Sequence, residues 1–127
     1  MPRVRYLWVG LGGALGAIAR YAVGVWFYDR FGARFPYGTV AINISGCFAI
    51  GLVVALLDAR SAISPAWRYA IPIGFIGAYT TFSTFELESF RAVQEGWPGI
   101  ALLNLGLSVI VGYAAVWLGF VAGRHLA

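Results

Sequence analysis

The sequence predicts an all-α integral membrane protein with four transmembrane helices, the third of them broken part-way along. Three observations predict it. Hydrophobic residues make up 61% of the 127 positions and charged residues 11%, whereas an average soluble domain is about 25% charged. The apolar residues fall into four runs, each near the roughly 20 residues that a helix needs to cross a bilayer. One of those runs ends in "GAYTTFSTFELESF", residues 77–90, which sets hydroxyls and carboxylates where lipid tails would otherwise lie. Four spans consume about 80 residues, so residues 1–127 form one transmembrane domain with no room for a separate soluble unit.

The first span covers residues 6–28, with Tyr6 and Trp8 at one end and Trp26 and Tyr28 at the other as aromatic belts. Arg3 and Arg5 before an apolar run, with Ala17-Ile18-Ala19 after it, also fit a cleaved signal peptide. The run continues past Arg20, which favours a retained span. A charge at bilayer depth costs about 2.5 to 3.5 kcal/mol on insertion scales, so Arg20 is a candidate functional residue; snorkelling to a headgroup is the alternative. Gly12, Gly16, Arg20 and Gly24 are four apart, a small-residue face suited to close helix approach.

The second span covers residues 38–57 and carries Thr39, Asn43, Gly46 and Cys47 on one face. Ser64-Pro65 is an N-cap followed by proline in the first turn, opening a third span over residues 66–90. The fourth, residues 98–123, begins at Pro98 and aligns Asn104, Ser108 and Gly112. Amides and hydroxyls of this kind donate either to a neighbouring helix or to an anion, and three helices that each offer a donor stripe favour a polar path.

Within the third span, Pro72, Gly74, Gly77 and four closely spaced hydroxyls weaken helix propagation, which predicts a break near residues 77–81. Irregular backbone at that depth survives where it is buried in protein or lines a cavity, and its carbonyls can hold a cation. A continuous helix whose hydroxyls bond back one turn is the alternative. Phe82 and Phe85 are three apart; they serve either as core packing or as ring edges, weakly positive, turned toward an anion.

Charge and composition exclude several functions. The nine basic residues are all arginine and are scattered, so no nucleic-acid-binding stripe exists. His125 is the only histidine, which rules out a multi-histidine metal site within one chain, and Cys47 has no partner for an intrachain disulfide. No nucleophile and base pair with an orienting partner can be named, so an enzyme is disfavoured. With an even number of spans, Arg3, Arg5, Arg60, Arg68 and Arg124 fall on one side and Arg30, Arg34 and Arg91 on the other. This bias is weak. The chain inserts either with cytoplasmic termini or in both orientations as an antiparallel pair.

Three segments resemble one known family, the Fluc (CrcB) fluoride channels. "GGALGAIARY" (residues 12–21) is similar to its first-helix signature, "GTVAINISGCFAIG" (residues 38–51) to its second, and "GFIGAYTTFSTFELE" (residues 74–88) to its TTFSTF motif with a glutamate three beyond. The resemblance covers all four spans in order. It implies an antiparallel, dual-topology homodimer in the bacterial inner membrane, with two pores that pass fluoride passively out of the cytoplasm and one central structural sodium ion. Carried over by position, Phe82 and Phe85 would line the pores, Asn43 would donate to fluoride, and Ser108 would belong to a polar track on the fourth helix. Arg20 would supply positive potential near the vestibule, Thr39 and Glu88 would mark the far end of the path, and the backbone carbonyls of Gly77 and Thr80 would hold the sodium. Ala78 and Asn104 depart from the pattern: a second glycine is common at the first, and some relatives carry a tyrosine hydroxyl at the second, so Asn104 is a candidate pore residue whose contact with the ion stays open.

Two other functions compete. Small multidrug-type cation/proton exporters also have four helices and dual topology, but they need an acid in the first helix, and this one holds Arg20. A non-conducting anchor subunit would show large apolar faces without aligned donors.

Overall fold

The computed structural model describes residues 2–127. It is helical throughout, and no strand occurs among the described residues. Helix α1 runs Pro2–Phe31 and α2 runs Tyr37–Asp58. The third apolar segment begins as α3, Pro65–Arg68, continues as a π-wound stretch, Tyr69–Ile76, and ends in one turn, α4, Gly77–Tyr79. After a gap at residues 80–82 the chain resumes as α5, Ser83–Gln94. The last segment comprises α6, Pro98–Gly106, a π-wound stretch, Leu107–Val111, and α7, Gly112–Leu126.

Three helical stretches, Pro2–Phe31, Tyr37–Asp58 and Pro98–Leu126, are long and apolar enough to cross a membrane. At about 1.5 Å per residue, even the 22 residues of α2 reach roughly 33 Å, slightly more than a hydrocarbon core. This is a multi-pass membrane protein. The third segment matches the others in length but is divided between two helices, so no single helix within it reaches spanning length.

Local chemistry explains the ends. Ser64 Oγ accepts from the Ala66 amide at 3.4 Å, with Pro65 at the first helical position, where its missing N–H costs nothing. Pro98 opens α6 in the same way. Pro72 lies inside the π-wound stretch, and the wider turn accommodates the ring that a regular α-helix would push against the carbonyl four residues back.

Small residues set the packing. Gly12 and Gly16 lie buried against the backbone of Ala70 and Phe75, so close that a Cβ on either would overlap a carbonyl oxygen. Across the molecule, α2 and α7 pack in the same fashion, with Gly119 against the Phe48 carbonyl and Gly51 against that of Val116. With little hydrophobic drive between helices in lipid, such backbone approach and its dispersion contacts supply the association. Gly24, on the same stripe of α1, lies beside Gly38 of α2, but a Cβ on it would point into open space at the cavity.

The break falls at residues 80–82, slightly later than the predicted 77–81. Gly77 itself is helical, with φ −60° and ψ −36°. Thr80 turns out to an extended ψ of 156°. Both the Thr80 amide and its Oγ1 bond back to the Ile76 carbonyl, at 3.1 and 3.0 Å. Back-bonding and interruption therefore occur together: the hydroxyl caps the helix that ends there, and the chain leaves the helical path one residue later.

Candidate functional site

Thr81 has no helical partners, and α2 supplies substitutes. Asn43 Nδ2 donates to the Thr81 carbonyl at 2.9 Å, and the Thr81 amide donates to Asn43 Oδ1 at 2.8 Å. One side-chain amide thus mimics a peptide unit and satisfies both backbone groups at the break. One Asn43 N–H is committed in this way, which leaves the second for another acceptor. On the far side of the break, Thr81 Oγ1 accepts from the Thr84 amide at 3.3 Å, serving the start of α5.

Arg20 meets the same break from α1. Its Nε donates to the Ala78 carbonyl at 3.2 Å, at the negative end of the helix that finishes at Tyr79. This contact accounts for a charged residue in an apolar span better than snorkelling does. The carbonyls of Ala78 and Thr81 are therefore occupied, while those of Gly77 and Thr80 meet no donor among the described residues.

A cavity of about 540 Å³ opens beside the break, between the ends of α1 and α5, the start of α2, and α6. Arg20, Thr39, Glu88 and Asn104 all line it, with Thr84 and Arg91 between them. Its charged lining is three arginines, Arg20, Arg34 and Arg91, against Glu88 and Glu95, a composition that attracts anions. Thr39 Oγ1 donates to Glu88 Oε1 at 2.9 Å, tying α2 to α5, and Glu88 Oε2 lies buried with no protein donor. At the rim, the Arg34 guanidinium stacks 4.0 Å over Trp97, which joins the loop after α1 to the loop before α6.

Phe82, Phe85, Asn43 and Ser108 do not line that cavity. The two phenylalanine rings are neighbours, 6.0 Å between centroids and tilted by 57°, yet they differ sharply in burial: Phe85 is 4% exposed and Phe82 74%. Phe82 caps α5 with helical backbone angles, and its carbonyl accepts from the Glu86 amide at 3.0 Å, so the two residues stand one turn apart with only the second buried. Ser108, in the second π-wound stretch, donates from Oγ to Asn104 Oδ1 at 3.4 Å. Asn104 is wholly buried, and its Nδ2 donates to Ser89 Oγ at 2.9 Å.

The family described as CrcB-like protein, Camphor Resistance (CrcB), matches residues 7–120. The chain belongs to the CrcB family. A protein of Acidobacterium capsulatum is 63% identical over 97% of this chain and 98% of its own length, and one of Solibacter usitatus is 51% identical over 96% and 100%. A third, from Geotalea daltonii, is 43% identical over 94% of this chain and 97% of its own. All three relatives carry the name fluoride-specific ion channel FluC.

In this CrcB-family chain, sequence reasoning singled out Asn43 and Arg20 but not the carbonyls they hold, since a donor's partner across 38 or 58 residues leaves no local trace. Ser89 was missed altogether. Its signal was present, because it follows Phe85 by four residues on the same helical face. Arg34 enters the sequence reading only as one of the scattered arginines and Trp97 not at all, because only the fold brings their loops together.

Proposed function

We propose that this chain forms a fluoride-selective channel that carries fluoride passively out of the cytoplasm, as an antiparallel, dual-topology homodimer in the bacterial inner membrane. The observation that carries this reading is identity, across nearly the whole chain, with proteins named fluoride-specific ion channels. The site chemistry agrees with it. Fluoride is small and strongly hydrated, so a path must offer donors in place of water. The free N–H of Asn43 is such a donor, whereas the single hydrogens of Ser108 and Thr39 are held by Asn104 Oδ1 and Glu88 Oε1 and would reach an ion only by turning away from them. Phe82 and Phe85 contribute ring edges, which attract an anion weakly enough to release it again. Arg20 and Arg91 raise anion concentration in the cavity, while Asn104 and Glu88 complete its polar wall.

Exposure supports the dimer. Phe82 presents 74% of its surface, and Gly77 at the break is exposed as well. A second copy in the opposite orientation would cover both and create two equivalent paths. The weak arginine bias permits both orientations.

A structural sodium ion fits the break. The Gly77 and Thr80 carbonyls are hard oxygens without protein donors, and two copies would offer four of them about one axis. A bound sodium would supply positive charge that holds the two unwound segments together.

The test is efflux from proteoliposomes followed with a fluoride electrode, beside chloride-loaded controls. Fluoride leaves and chloride stays if the reading holds. Retention of both ions, or equal loss of both, defeats it.

A further inference from the structure

We propose that Asn104 is a positioning residue, which acts through Ser89 to fix the turn of α5 that carries Phe85 rather than by touching the permeating ion; the inference rests on the channel reading above. The hydrogen bonds determine their own directions. Ser89 Oγ donates its only hydrogen to the Phe85 carbonyl at 2.9 Å, so it can only accept from Asn104, whose Nδ2 lies 2.9 Å away. Ser108 Oγ donates to Asn104 Oδ1, which turns the amide so that its NH₂ faces Ser89. The relay thus runs from the π-wound stretch through α6 into α5, and ends on the backbone of Phe85 itself.

Burial makes this relay consequential. Asn104 is 0% exposed, Ser89 5% and Phe85 4%, so water does not substitute for a lost partner at any of the three. Phe82 stands outside the relay, at 74% exposure and with its carbonyl held only by the Glu86 amide of its own helix. Of the two rings, therefore, only Phe85 is held from behind by a polar network. Asn104 occupies the cavity wall because α6 lies there, and its amide points into the α5 contact.

Two variants, their combination and two measurements test this. Asn104→Leu keeps volume and removes the amide; Ser89→Ala removes the hydroxyl. Each is expected to lengthen the time constant of fluoride efflux by about tenfold, and the double variant to be no slower than either alone, because both break one chain of contacts. The time constant is the informative quantity, since a folding defect lowers the fraction of vesicles emptied instead. Slow efflux in N104L with wild-type efflux in S89A would overturn the proposal in favour of direct contact with the ion, and so would losses that multiply in the double variant. Hydrogen exchange across residues 83–94 tests the positioning without any transport, and so remains informative if the wild type passes no fluoride. Exchange about tenfold faster in both variants supports the relay, and unchanged exchange sinks it. Should N104L fail to assemble, S89A, the smaller change, carries both measurements.

Discussion

Asn43 replaces with one side chain the two hydrogen bonds that Thr81 forfeits by leaving the helix. Its importance is therefore first structural. Asn43→Leu would leave a half-buried N–H and C=O without their partners, a loss of about 1–3 kcal/mol. The expected outcome is a lower thermal midpoint in detergent together with abolished fluoride efflux; unchanged unfolding would show that Thr81 finds other partners. The two phenylalanines give a contrasting pair. Phe85 is buried within the chain and Phe82 would be covered only by a second copy, so Phe85→Ile should destabilise the fold by about 1–3 kcal/mol while Phe82→Ile should leave the fold intact and act at the subunit contact. Both should slow fluoride efflux. A Phe82→Ile channel with wild-type rates would remove the ring edge from the conduction path.

At the scale of elements, the break in the third segment depends on its neighbours as much as on its own sequence. Gly46 of α2 sits under Thr80, where a Cβ would overlap the threonine methyl. Thr80 cannot simply rotate away, because its Oγ1 is bonded to the Ile76 carbonyl. Gly46→Ala should therefore displace Thr80 and its carbonyl, which weakens any stabilisation by sodium. The measurement is unfolding temperature in sodium against N-methylglucamine, and the expected result is a smaller difference in the variant than in the wild type. The existence of an interruption was legible, because Pro72, Gly77 and the run of hydroxyls each oppose a regular helix. Its position was not. Residues 77–79 stay helical because Thr80 and Arg20 complete that turn, and Asn43 draws Thr81 out of it. Those partners come from α1 and α2, and no local propensity encodes them. The four apolar stretches were plain from composition, and so were Arg20 and Asn43 as polar residues needing partners at depth. The assembly of Arg20, Thr39, Glu88 and Asn104 around one cavity depends on helix packing set by glycines such as Gly12 and Gly16, and no single-chain spacing reveals it.

For the whole molecule, the exposed surfaces and the charge balance point the same way. Five arginines on one side against three on the other give only a weak positive-inside preference, since that preference counts such residues in short loops. Several of these arginines are also engaged. Arg68 pairs with Asp58 at 2.9 Å, Arg5 lies over Tyr69, and Arg30 and Arg34 stack on Trp26 and Trp97. Such contacts anchor each end at the interface equally well whichever leaflet it occupies. An antiparallel dimer requires both orientations in equal number, because each copy would contribute the exposed Phe82 and Gly77 to the other. A cysteine appended after Ala127, in a Cys47→Ser background that removes the lone native thiol, reports orientation directly. With a membrane-impermeant thiol reagent applied to intact cells, about half of the protein should label, and the remainder only after the membrane is permeabilised. Adding two lysines to the loop at residues 59–63 should drive that fraction toward zero by fixing the loop, and the termini with it, in the cytoplasm. Fluoride efflux should fall along with it, because chains of a single orientation cannot pair head to tail. Full efflux from a protein inserted in one orientation would mean that parallel copies, or single chains, are enough to conduct.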